Sequence, residues 1–282
     1  MRRTGVVLAA AAAALVLVPA ASASFIVTRN AAQVVLRISG KRALVSYRSH
    51  GRERHAVLWG AIGARRPTRR VRQVAFHVRY GSGPARGGSC RPYRGPALKY
   101  LVAACTARDG SFWALQKWQR LLPDYGGKHA PWELHLSHWR GPLPKLEVWV
   151  DWVYGRYAHL FGRFTYRGSG VYGFHSTPGG DPLDGYGRNV YLDTFDSAYG
   201  PGWRRENGFL AHRPHGTFCY GFFRHGSHPS GAGKDYRLTA EGPGVTPIVS
   251  WSGPSPGAYN AAEDARLNRI ERSLGDPGCR HA

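Results

Sequence analysis

Apolar and polar side chains alternate with period two along most of this chain, in short runs separated by glycine and proline. The runs fall at Val34–Ser39, Ala43–Arg48, Ala56–Ile62, Val74–Tyr80, Leu98–Thr106 and Phe112–Trp118, then at Trp132–Trp139, Lys145–Trp152, Tyr157–Tyr166, Val171–His175, Asn189–Phe195, Thr217–Phe223, Tyr236–Ala240 and Thr246–Trp251. Successive side chains of a strand point to opposite faces, so such a run buries one face of a sheet and leaves the other polar. Repeated this often, the pattern confines the chain to a mainly β fold, either an antiparallel sandwich or a partly closed barrel. Asp109-Gly110, between two of the runs, is a hairpin-turn signature. Ala114–Leu122 reads either as a short helix or as a continued strand. Only Ala261–Leu274 reads well as an amphipathic helix, with Ala262, Leu267, Ile270 and Leu274 near helical spacing and Gly275 and Pro277 to end it.

The first 23 residues differ from everything after them. Arg2 and Arg3 precede an apolar run from Val6 to Val18, followed by Pro19 and Ala21-Ser22-Ala23. That order of charge, apolar core and small residues is a secretory signal peptide. As a helix the run spans about 20 Å, short of the roughly 30 Å hydrocarbon core of a bilayer, so cleavage after Ala23 is expected rather than anchoring. The expected organisation is a signal peptide at 1–23, a β-rich domain at 24–260 and a helix with its tail at 261–282. Residues 24–80 form a basic meander that could stand as a subdomain, with the glycine-rich stretch Gly81–Ser89 as a candidate boundary. No transmembrane segment is expected after cleavage, which makes the protein secreted.

Export changes the meaning of the four cysteines, Cys90, Cys105, Cys219 and Cys279. In an oxidising compartment an even count reads as two disulfides, and four cysteines allow three pairings. Cys90 with Cys105 and Cys219 with Cys279 is the favoured set.

The whole chain carries a net charge of +22. Between Ser24 and Gly110, 18 Lys and Arg face only Glu53 and Asp109, which places most of the excess in the first third. The densest run is Arg65, Arg66, Arg69, Arg70 and Arg72. Outside a cell such a surface meets anionic envelope polymer or polysaccharide, and no specific nucleic-acid partner is expected.

The chain has no GxxxxGK[ST] loop, HExxH motif or GxSxG elbow. His212, His215, His225 and His228 form two pairs, but an extended segment between them would hold the pairs roughly 23 Å apart. They read as surface residues. Asp181, Asp184, Asp193 and Asp196 lack EF-hand spacing and read as turns and salt bridges with Arg188, Arg204 and Arg205. No metal and no cofactor is expected. The most chemical constellation lies on two adjacent runs. If Arg140–Pro144 is a hairpin connection, Glu133 faces Asp151, His135 faces Trp149 and Ser137 faces Glu147 across the strands. A flat indole flanked by carboxylates suits a sugar ring, which makes His135, Glu147 and Trp149 candidate ligand-binding residues. A close Glu133 and Asp151 pair would suit an acid and base, as in retaining glycosidases.

The stretches Ala114–Arg120, Glu133–Trp139, Gly187–Asp193 and Tyr199–Asn207 resemble uncharacterised secreted proteins of high-GC Gram-positive bacteria. The resemblance covers most of the mature chain, and it implies the compartment and no chemistry. The expected function is that of a secreted protein binding anionic or carbohydrate polymers at the cell envelope. A secreted glycan hydrolase using the carboxylate pair is one alternative, and a structural or interaction protein of the envelope is another.

Overall fold

The computed structural model describes residues 25–61, 76–119, 121, 131–153, 157–170, 174–176, 182–184, 190–205, 208–212, 216–222, 233–240 and 246–274. Strands form almost wherever the sequence alternates. The first half contains β1 (Phe25–Arg29), β2 (Ala32–Ser39), β3 (Arg42–Ser49), β4 (Arg52–Gly60), β5 (Phe76–Ser82), β6 (Arg91–Pro92), β7 (Leu101–Thr106), β8 (Phe112–Trp118) and β9 (Glu133–Trp139). The second contains β10 (Lys145–Val153), β11 (Tyr157–Tyr166), β12 (Ser169–Gly170), β13 (Phe174–Ser176), β14 (Pro182–Asp184), β15 (Val190–Ser197), β16 (Gly200–Arg205), β17 (Gly208–His212), β18 (Thr217–Phe222), β19 (Asp235–Ala240) and β20 (Val249–Pro254), followed by α1 (Ala261–Ser273).

The strands assemble by burying their apolar faces against each other. In the first half, β2-β3-β4-β5 form one sheet and β1-β9-β8-β7-β6 another. Leu36, Val45, Ala56 and Leu58 project from the first sheet and meet Val27, Trp113, Leu115, Leu134 and Leu136 of the second in one core. In the second half, β10-β11-β18-β17 and β16-β15-β19-β20 repeat the arrangement. Their core joins Leu160, Phe164, Phe218 and Tyr220 with Leu192, Tyr236, Leu238 and Ala240. Each large side chain fully buried in this way stabilises the fold by about 1.5–3 kcal/mol. The sheets stay open, so the architecture is of the sandwich type and not a closed barrel.

Local sequence sets the connections. At Asp109-Gly110 the glycine takes φ of +79°, the Ala107 N–H donates to the Ser111 carbonyl at 2.8 Å, and β7 returns antiparallel as β8. Ala114–Leu122 therefore begins as strand, through Trp118. α1 starts where the Asn260 side chain accepts from the N–H groups of Ala262 and Glu263 at 3.0 and 3.1 Å, satisfying two donors of the first turn. Its apolar stripe, Leu267, Ile270 and Leu274, packs with Trp149, Trp152 and Phe161 of the second half, whereas Ala262 is exposed. Cys90 and Cys105 form a disulfide with Cα atoms 5.1 Å apart. Cys219 on β18 is also disulfide-bonded, and Cys279 lies outside the described residues. Among the described residues, no helix is long and apolar enough to cross a membrane.

Candidate functional site

The expected hairpin of β9 with β10 does not form. β9 pairs with β8 along one edge and with β1 along the other, Phe25 opposite Leu136 and Arg29 opposite Glu133. Phe25–Arg29 thus occupies the edge that β10 was expected to take. β10 pairs instead with β11 in the second half. Glu133 and Asp151 are in different sheets, and neither His135 with Trp149 nor Ser137 with Glu147 is a cross-strand pair.

Each residue of that expected face has a different setting. Glu133 is clamped by Arg29, whose Nη2 lies 3.1 Å from Oε1, and by His135 Nε2, 3.1 Å from Oε2. Burial pushes the Glu133 carboxyl up, but His135 and Arg29 outweigh it and hold it below the usual carboxylate range. That is the state of an ion-paired structural carboxylate, the opposite of an acid tuned to hold its proton. His135 is fully buried, its ring 6.1 Å from that of Trp118. Glu147 pairs with Lys145 at 2.5 Å along its own strand. Trp149 is half-buried, stacked on Phe161 at 5.3 Å under α1, so it is not an open platform for a sugar. Asp151 is fully buried and lies directly opposite His159 of β11.

The aspartate cluster is resolved differently from turn to turn. Asp193 is buried between Arg205, 2.6 Å from Oδ1, and Arg237, 2.8 Å from Oδ2. The Gly202 N–H donates to Asp196, with Lys234 3.2 Å away. Two guanidinium groups on one carboxylate leave Asp193 a structural ion pair, not a calcium ligand. Asp181, His215, His225 and His228 lie outside the described residues.

The described part of the basic third of the chain consists largely of the β2–β5 sheet. The run Arg65, Arg66, Arg69, Arg70 and Arg72 lies outside the described residues, but the sheet around it is described. On β2–β5 the face turned away from the core carries Arg37, Arg42, Arg48 and Arg79, with Arg42 over the Trp59 ring at 5.7 Å and Trp59 stacked on His77. The stretch proposed as a domain boundary crosses this face as a strap. Its Ala85 N–H donates to Ser46 Oγ at 2.8 Å, His55 contacts the Gly83 carbonyl at 2.9 Å, and Ser89 pairs with Ile38. Between strap and strands lies a groove of about 250 Å³, lined by Arg37, Arg48 and Arg54, with Gln33, Ser46 and Tyr47 and the single carboxylate of Glu53. Arg37 and Arg48 leave the sheet on this outer face, whereas Arg54 stands opposite Tyr47 on the side of β4 that carries Ala56 and Leu58, so two guanidinium forks against one carboxylate give a site that can take an anion through paired N–H donors. The sequence placed the charge in this region, but could not show which arginines converge. The chain matches no protein-family model, no curated protein and no solved structure.

Proposed function

We propose that this is a secreted protein that binds an anionic polymer of the cell envelope through the outer face of β2–β5. The groove carrying Arg37 and Arg48 supports the reading most directly, because it sets two outward-facing cations and hydrogen-bonding side chains around a space of about 250 Å³. A groove suits a chain molecule better than a deep pocket does, and guanidinium groups suit phosphodiester or carboxylate repeats. The leader-like first 23 residues and the Cys90–Cys105 disulfide support export. Retention on immobilised polygalacturonate and on a poly(glycerol phosphate), compared with a neutral glucan, tests the reading. The wild-type protein is expected to bind a polyanion and not the glucan, and the variant R37A/R48A to lose that retention. Equal retention of wild type and variant, or equal retention on the neutral glucan, would contradict it.

A further inference from the structure

We infer that Asp151, His159 and Glu271 form a binding site for one divalent transition-metal ion of the zinc class. The β10–β11 register sets Asp151 directly opposite His159, so both side chains leave the sheet on the same face. α1 packs on that face. Leu267, Ile270 and Leu274 make its contact stripe, and Glu271 falls four residues after Leu267, on the same side of the helix. One carboxylate oxygen from each acid and one imidazole nitrogen all lie within 4.8 Å of one another. The residues are 0%, 2% and 5% exposed, which separates this group from the scattered acids of a surface.

The spacing fits a small ion. Bonds of about 2.1 Å in tetrahedral geometry place ligand atoms about 3.4 Å apart, within reach of small side-chain rotations from the distances seen. A divalent cation suits a ligand set of two carboxylates and one imidazole, since a metal is bound by the deprotonated acids and the neutral ring. One nitrogen and two oxygens suit zinc, cobalt or manganese. They are too few for calcium, which takes six to eight oxygens, and lack the sulfur that copper(I) prefers. The Asp151 carboxylate is already oriented, since Oδ1 accepts from the Trp152 N–H at 2.7 Å, as outer partners orient metal ligands elsewhere. Glu271 also borders a cavity of about 10 Å³ with Gly162, Thr217 and Cys219. That is close to the volume one water needs. The ligands come from two neighbouring strands and a helix 112 residues further along.

The test uses the full mature protein, stripped with a chelator and dialysed. Calorimetric titration with zinc chloride is expected to show one saturable site, and cobalt chloride to give the visible absorption of a low-coordinate ion. The variants D151N, H159Q and E271Q are expected to weaken zinc binding by at least about 10-fold, in the range seen when even an outer partner of a metal ligand is removed. H225Q/H228Q should bind as the wild type does. If the three variants do not fold, the wild type still decides. Zinc should raise its melting temperature above that of the stripped form, and zinc-edge anomalous scattering should place the ion among the three side chains. No saturable binding, binding that survives D151N and E271Q, or binding lost in H225Q/H228Q would overturn the inference.

Discussion

Gln116 on β8 holds Ile248 as a neighbouring strand would: its Nε2 donates to the Ile248 carbonyl at 2.9 Å, and its Oε1 accepts from the Ile248 N–H at 2.8 Å. The second N–H of the same amide donates to the Lys99 carbonyl at 2.8 Å. Fully buried, this one side chain satisfies the backbone of the segment leading into β20 and so ties the two halves together. Gln116→Ala would leave buried donors and acceptors without partners at about 1–3 kcal/mol each, and a loss of about 3 kcal/mol is expected in urea unfolding. Gln116→Glu should cost at least as much at neutral pH, since it turns an oxygen toward two carbonyls. A change below about 1 kcal/mol in both variants would show that the clamp contributes little.

His138 makes stability depend on pH. Its ring stacks on Trp113 with centroids 3.5 Å apart and contacts the Gly60 carbonyl and Ser111 Oγ, each at 3.0 Å. Burial drives the imidazole down to about 4, against the raising influence of the Gly60 carbonyl and Asp109. Above about pH 6.5 neither the folded nor the unfolded state binds this proton, and the contribution is complete. Between pH 6.5 and about 4 only the unfolded state binds it, so stability falls as the pH falls, by about 3 kcal/mol in total. Urea midpoints at several pH values should fall less steeply for His138→Gln than for the wild type. Parallel curves would contradict this assignment.

Asp193 is the hub of a buried ion-pair network. Arg205 and Arg237 share its two oxygens, while their guanidinium groups lie over Tyr191 and Trp203 at 4.5 and 4.4 Å. Asp193→Asn leaves two cations facing each other on β16 and β19, and breaking a buried pair in this way costs about 3–5 kcal/mol. Thermal unfolding should show a lower midpoint in Asp193→Asn, partly restored by adding Arg237→Met. No loss in the single variant would mean that solvent already screens the network.

The Cys90–Cys105 disulfide closes a loop 15 residues long. On the chain-entropy argument it contributes about 3 kcal/mol. Replacing both cysteines by serine should lower stability by that order, measured by denaturant unfolding under oxidising conditions. An unchanged midpoint would place the stabilisation elsewhere in the first sandwich.

The strands were legible because their burial follows period two, and α1 because Leu267, Ile270 and Leu274 keep helical spacing. The partners of the strands were not. β9 was expected to show one polar face, yet from Leu134 to Trp139 it is buried on both, because Leu134 and Leu136 enter the first core while His135 lies beside Trp118 and Trp139 packs with Tyr93 and Phe112. Gly200–Arg205 escaped notice because Gly200, Pro201 and Gly202 read as a turn, although Gly202 takes φ of +75° within a paired strand. Asp151 stood out as a scarce carboxylate in a strand, but nothing in spacing linked it to His159 or Glu271, since helix docking brings the last of these to it. Likewise the count of arginines was plain, while Arg37 and Arg48 meet only through strand register and the strap at 83–89.

Polyanion binding through the arginine groove is tested most directly by the salt dependence of affinity for a defined anionic polymer. Ion pairs with a linear polyanion release counterions, so two contacts should weaken binding on the order of 10-fold between about 50 and 200 mM salt. The wild type is expected to show that loss, and R37A/R48A a much flatter dependence. A wild-type affinity unchanged over the same span would contradict the account.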